Sequence, residues 1–271
     1  MSGSARSAPV RGGGKGATGF GGTVHRYASV DSTMRVAAEL ALEGCAEGTA
    51  VSADRQTAGR GRLGRKWHSE AGQGVYLSVV LRPDCAPAHA PLLTLVAGLA
   101  AKQALEQVAG VECDIRWPND ILIGGRKCCG ILVEMECSAD RVTHVVVGIG
   151  VNANHLSFPD ELAGLATSLR IETGRRWSRR AIQGALLSAL EACYRLHHAR
   201  GAEPILEAFR RASSYVEGRR VVIEDVPAGQ AVPTRGVTAG LDGNGALLLR
   251  AEDGTVAPVL AGSVRPEPGR M

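Results

Sequence analysis

Apolar positions along this chain recur at two spacings, and the switches between them mark its elements. Residues 23–28 (TVHRYA) predict a strand. Asp31, Ser32 and Thr33 are helix N-cap types, and Val36, Ala37, Leu40 and Ala41 follow at helical spacing until Gly44 ends the run. Residues 49–54 (TAVSAD) are strand-like, and a loop dense in Gly and Arg leads into a strand at Val75–Leu81. Pro91 opens a long apolar helix through Leu105. Segments 111–117, 120–123, 130–137 and 143–149 predict strands, with Gly124-Gly125 as a hairpin turn. Ser178 caps a helix that runs to about His198, and a shorter helix follows Pro204 and ends near Ala212.

The texture changes after Val216. Residues 220–224, 236–241, 246–250 and 256–264 are short strands, and Asp242-Gly243-Asn244-Gly245 is a strong turn signal. The pattern predicts an α+β fold with a mixed-sheet core over residues 23–216 and a small β-barrel over 217–271. Residues 1–22 are mostly Gly, Ser and Ala, with little to bury, and predict a disordered tail. They lack the apolar stretch of a signal peptide.

Composition narrows the function classes. A chain of 271 residues with 45% hydrophobic and 21% charged residues is globular in type. No apolar run reaches the roughly 18–20 residues of a membrane helix. The formal net charge is +4, but Arg6, Arg11 and Lys15 of the acid-free tail supply three of those charges. A near-neutral body argues against nucleic-acid binding. The seven Cys include no CxxC pair, and Cys128-Cys129 are adjacent, so they read as reduced thiols of a cytoplasmic protein, mostly in the core. The seven His do not pair with acids at metal-ligand spacing, and no metal site is expected. HExxH, GxSxG and P-loop patterns are absent.

Four segments carry candidate chemistry. Gly59-Arg60-Gly61-Arg62-Leu63-Gly64-Arg65-Lys66-Trp67 packs four cations and three glycines around mobile backbone, and ends in a flat aromatic ring. Such a loop should order around a polyanion, since guanidinium forks suit phosphate and carboxylate oxygens. Taken alone it could be a solvated basic turn. Arg116-Trp117-Pro118-Asn119-Asp120 puts a cation, a ring and two polar groups at a strand end; a plain β-turn is the bland alternative. Gly130-Ile131-Leu132-Val133-Glu134 could be an ordinary strand, and Gly148-Ile149-Gly150-Val151-Asn152 an ordinary bulge. The chemistry these segments suit is positioning and electrostatics around an anion, without a protein nucleophile.

In this order the segments resemble the biotin–protein ligases: Asp31-Ser-Thr, then Gln56 to Trp67, then Trp117-Pro-Asn-Asp, then Arg126-Lys-x-x-Gly-Ile-Leu-Val-Glu134, then Gly148 to Asn152, with Gly245-Ala-Leu-Leu-Leu in the β-domain. The resemblance covers about residues 24–265. It implies a core like that of class II aminoacyl-tRNA synthetases and an SH3-like C-terminal barrel. It also implies a ligase that condenses biotin with ATP and Mg²⁺ to biotinyl-5′-AMP, then transfers biotin to one lysine of a biotin carboxyl carrier protein. Some members dimerise through sheet edges, which leaves a homodimer open. Some carry an N-terminal DNA-binding domain, for which the tail has no room. A lipoate-type ligase and a non-catalytic biotin or nucleotide sensor remain as alternatives.

The resemblance also implies residue roles. Arg62 and Arg116 would be catalytic. Ser32, Thr33, Met34 and Gln56, with Gly59, Arg60, Gly61 and Arg62 of the loop, would take biotin together with Arg116, Gly130, Leu132, Gly148 and Gly150. Arg62, Arg65, Trp67, Asn119, Asn152 and Arg265 would take the nucleotide. Two positions depart from the family pattern. Arg116 stands where the family has Lys, and Met34 where it has Asn. Arg116 keeps the charge in a bulkier, planar group. Met34 removes a polar group from the ureido end.

Overall fold

The computed structural model describes residues 10–11, 19–138, 140–226 and 234–267. Thirteen strands and five α-helices are assigned among them. An eight-stranded sheet holds β1 (Val10–Arg11), β2 (Val24–Val30), β3 (Ala50–Gln56), β4 (Gly74–Leu81), β5 (Asp114–Arg116), β6 (Asp120–Ile123), β7 (Arg126–Ser138) and β8 (Arg141–Asn152). Its order is β1-β2-β3-β4-β8-β7-β6-β5, with β2 parallel to β3 and the other neighbours antiparallel. The helices are α1 (Thr33–Leu42), α2 (Leu92–Ala109), α3 (Leu169–Thr173), α4 (Arg179–Arg200) and α5 (Glu203–Ala212). Helix α3 is too short for its period to register in the sequence.

Two cores lie on opposite faces of this sheet. Val75, Leu77, Val79 and Leu81 of β4 join the large core with α2 and α4, while Val80 joins the smaller core with Met34, Val36 and Ala37 of α1. All eight residues of β4 are buried because both faces are covered. The alternation continues on β8, where Val145, Val147, Ile149 and Val151 enter the large core. Gly148 and Gly150 therefore face the α1 side. On β7, Ile131 enters the large core, so Gly130 and Leu132 share that α1 side.

A second, antiparallel sheet follows: β9 (Glu217–Glu224), β10 (Arg235–Leu241), β11 (Leu247–Arg250), β12 (Val256–Val259) and β13 (Ser263–Pro266), in the order β12-β11-β10-β9-β13. The expected strand 256–264 is two strands at opposite edges, separated at Gly262 with φ 137°. The Asp242 turn forms, and Trp117 Nε1 donates to Gly245 O at 2.9 Å, tying the turn to the first sheet.

Packing starts before Thr23. Phe20 meets the ring of Tyr194 at 5.7 Å, and Gly21 N donates to Gly48 O. The backbone of Val10–Arg11 pairs with Arg26 and His25. The remainder of the expected tail, residues 1–9 and 12–18, lies outside the described residues. The seven cysteines are free thiols; Cys113, Cys128, Cys129 and Cys193 are buried and Cys137 is exposed. Burial raises the Cys113 thiol to about 12. No helix among the described residues is long and apolar enough to cross a membrane.

Candidate functional site

Two cavities open on the α1 side of the first sheet and share a wall of Gly61, Arg62, Trp67, Asn119 and Lys127. The inner one is floored by three adjacent strands. Gly150 of β8 pairs with Tyr76 of β4 and with Gly130 of β7; Gly148 pairs with Ser78 and with Leu132. Glycines in these rows leave space that side chains from outside the sheet enter. A β-carbon on Gly130 or Gly150 would meet the Trp67 indole, and one on Gly148 the Met34 thioether.

The polar end of the inner cavity lies at the start of α1. Ser32 has extended backbone at the N-cap, but its side chain accepts no capping bond. Its buried Oγ has no hydrogen-bond partner. Gln56 caps the helix in its place: Gln56 Oε1 accepts from Thr33 N at 2.9 Å and from Thr33 Oγ1 at 3.0 Å. Ser78 Oγ donates to Thr33 Oγ1 at 2.8 Å. Ser32 lines the inner cavity, and its hydroxyl is left with an unused donor and acceptor.

The Gly-Arg loop forms the lid. Trp67 N donates to Gly59 O at 2.9 Å and Gly61 N to Arg65 O at 2.7 Å, making a short hairpin. Its tip turns through Leu63 (φ 57°) and Gly64 (φ 73°). Arg62 Nη1 donates to Asn119 Oδ1 at 3.1 Å and to Gly262 O at 3.3 Å, so this guanidinium joins the lid to both sheets. Burial pulls the Arg62 pKa down, but the group stays charged. Arg60 pairs with Glu134 at 2.9 Å, and Arg65 with Asp225. Asn119 is held by its own bond, Nδ2 to Ile131 O at 2.7 Å. The Trp117-Pro118 peptide before it is cis.

The outer cavity, about 250 Å³, contains a triad of charges. Asp120 takes Arg116 Nη2 at 2.6 Å on one oxygen and Lys127 Nζ at 2.5 Å on the other. Burial works to raise the Asp120 pKa; Lys127 and Arg116 outweigh it and hold the carboxyl below its ordinary value. Lys127 Nζ also lies 5.4 Å from the Trp67 ring centre. Arg265 lines the far side, its Nε 3.3 Å from Glu224. His68 and Phe158 close the rim, and Phe158 stacks on His155 with centroids 5.2 Å apart. Burial holds the His155 imidazole down at about 4.

The residues expected to take biotin and nucleotide are distributed around the two cavities as follows. Ser32, Thr33, Met34, Gln56, Arg60, Gly61, Arg62, Gly130, Leu132, Gly148 and Gly150 line the inner cavity. Arg62, Arg65, Trp67, Asn119, Asn152 and Arg265 line the outer one. Gly59 lines neither; it sits at the hairpin base, where a β-carbon would meet Trp67 O at 2.9 Å. Arg116 lines the outer cavity, not the inner one. Trp67 belongs to both, not to the nucleotide side alone. Lys127, which the sequence marks only as one residue of the Arg-Lys-x-x-Gly run, lines both cavities. Only the Asp120–Lys127 pairing across β6 and β7 reveals its place.

A bifunctional ligase/repressor BirA from Bacillus spizizenii is 42% identical over 232 residues, covering 83% of this chain and 68% of that protein. The chain belongs to the biotin protein ligase family. The family model described as biotin/lipoate A/B protein ligase matches residues 27–152 of this ligase-family chain. A biotin–[acetyl-CoA-carboxylase] ligase of Mycobacterium tuberculosis is 38% identical over 222 residues, 80% of this chain and 79% of that one. Among solved structures, the biotin protein ligase of Aquifex aeolicus in complex with biotin and ATP matches with a TM-score of 0.76 at 30% identity, covering 90% of this chain and 99% of that one. The fold is thus that of the biotin protein ligases, including the separate C-terminal antiparallel sheet.

Proposed function

We propose that this chain is a biotin–[biotin carboxyl carrier protein] ligase whose inner cavity takes biotin and whose outer cavity takes ATP. The observation that carries this is the shared wall. A biotin in the inner cavity and a nucleotide in the outer one meet at Arg62, Lys127 and Asn119. The biotin carboxylate oxygen attacks the α-phosphorus, the bond to the bridging oxygen of pyrophosphate breaks, and biotinyl-5′-AMP forms. The neutral amine of a carrier lysine then attacks the acyl carbon, and AMP leaves. Both steps bring anions or developing charge together, and fixed cations in a partly dry site screen them. This reading assigns that work to Arg62 and Lys127, which line both cavities. The unpaired Ser32 hydroxyl suits the ureido ring, and Gly130, Leu132, Gly148 and Gly150 leave room for the fused bicycle and the valeryl chain.

Asp120 is the only carboxylate among the described residues lining the outer cavity, and both its oxygens are engaged. The described residues offer no carboxylate cage there for Mg²⁺, which would arrive as the counter-ion of ATP. A carrier domain as partner and a cytoplasmic address belong to this reading. The test is mass spectrometry of a purified apo carrier domain incubated with the protein, biotin, ATP and Mg²⁺. A biotinyl mass increase on one lysine is expected. Biotin binding with neither pyrophosphate release nor a mass increase would replace the ligase with a sensor. Labelling by lipoate in place of biotin would reassign the substrate.

A further inference from the structure

His68, Glu70 and His155 each offer one ligand atom, and these atoms lie within 4.8 Å of one another. They come from two loops: the segment after Trp67, and the segment after β8. His155 is fully buried, yet neither Nδ1 nor Nε2 has a hydrogen-bond partner. A buried imidazole with both nitrogens unpaired is an unusual thing for a protein to keep. It is explained if one nitrogen is meant for a ligand that arrives from outside. The other two donors stand where such a ligand would enter, since His68 is half-buried and Glu70 is exposed.

We propose that His68, Glu70 and His155 bind a divalent transition-metal ion, of which Zn²⁺ is the probe, at the rim of the outer cavity. Two imidazoles and one carboxylate are the donor set of three-ligand sites that leave a position for water. Bonds of about 2.0–2.2 Å at tetrahedral angles place ligand atoms about 3.3–3.6 Å apart, so side-chain rotations that draw the three atoms inward from their spread of up to 4.8 Å close the site. Mg²⁺ prefers an octahedron of oxygens and fits this set poorly. The ion would tie the residue directly after Trp67 to the loop that carries Phe158. It would act as a clamp on the rim of the cavity, separate from the chemistry at Arg62 and Lys127.

The test uses the full-length, tag-free protein stripped with a chelator, without biotin or ATP, so its outcome does not depend on the ligase reading. Calorimetric titration with Zn²⁺ is expected to give one equivalent bound at about 1 μM or tighter, undiminished by excess Mg²⁺. Zn²⁺ should also raise the melting temperature. Glu70→Ala and His68→Ala should each weaken binding at least tenfold and remove that rise, with the metal-free melting temperature unmoved. These exposed and half-buried positions carry the test because His155→Ala risks misfolding. Co²⁺ substitution should give visible bands without strong sulfur-to-metal charge transfer, which separates this site from the free thiols. Absence of binding, affinity in either variant equal to that of the unsubstituted protein, or a thiolate signature in the cobalt spectrum would each overturn the proposal.

Discussion

The indole of Trp67 rests on Gly150: a β-carbon there would stand 2.5 Å from Cε2. The ring cannot keep its seat in a Gly150→Ala variant, because a tryptophan is rigid and large. Overpacking of this kind costs about 1–3 kcal/mol of stability. Trp67 lines both cavities, so affinity for biotin and for ATP should fall together, each by about tenfold or more. Calorimetry with each ligand and chemical denaturation check this. Gly148→Ala should be milder in stability, since it presses on a flexible methionine. Unchanged affinity for both ligands in Gly150→Ala would show that the indole does not need this seat.

Ser32→Ala separates stability from binding. The Oγ is buried without a partner in the protein, so removing it should change stability by less than about 0.5 kcal/mol or raise it. A hydrogen bond to a bound ureido group is worth about 0.5–1.5 kcal/mol, so biotin affinity should fall about 2- to 12-fold. Denaturation and biotin titration of one preparation read both quantities. Equal losses in the two would assign Ser32 a structural role.

Lys127 and Arg116 are both cations near the same carboxylate, but they are not equivalent. Lys127 reaches both cavities, and Arg116 only the outer one. Lys127→Ala should cut kcat/KM for adenylation about 100-fold or more, about 2.7 kcal/mol of transition-state stabilisation. Arg116→Lys keeps a cation as partner for Asp120, so it should cost less than about tenfold. Pyrophosphate-release kinetics rank the two, and the reverse order would move the charge role to Arg116.

Asp120→Asn should destabilise the protein by about 3 kcal/mol, because it leaves two poorly exposed cations without their carboxylate. The pH dependence has a definite sign. The Asp120 pKa is lower in the folded state than in the unfolded one. Its stabilisation is therefore fully present above the unfolded value of about 4, and is lost as pH falls through the depressed folded value. Unfolding free energy measured from pH 6 down to pH 2 should show this acid loss in the native protein and less of it in the variant.

Arg62→Ala cuts the lid from Asn119 and from Gly262 at once. The Michaelis constant for biotin should rise, and biotinyl-5′-AMP should escape before transfer. A filter-retention assay for the adenylate reads the leak directly. Full retention would mean that the lid closes without this arginine.

Much of the fold was legible because its signals are local. The period of Val36, Ala37, Leu40 and Ala41, the Ser178 cap and the Asp242 turn all lie within a few residues of the structure they specify. Helix α3 escaped because five residues do not complete a period. The split between β12 and β13 escaped because their pairing partners, β11 and β9, lie outside the run itself. Among site residues, the Gly-Arg lid announced itself by composition, whereas Lys127 looked like one more basic residue.

The sequence by itself therefore determined most of the longer elements and their order, the cation-rich loop, and the likeness to the family. Tertiary structure alone decided that Gly130 faces Gly150 under Trp67, and that Asp120 divides its oxygens between Arg116 and Lys127. It also decided that Gln56 caps α1 and leaves Ser32 open, and that His155 meets His68 and Glu70. The physical reason is range. Propensity, capping and charge act over a few residues and can be read in order. A strand's register, and the side chain that fills the space over a glycine, depend on segments far apart in the chain, which meet only when burial of both cores brings them together.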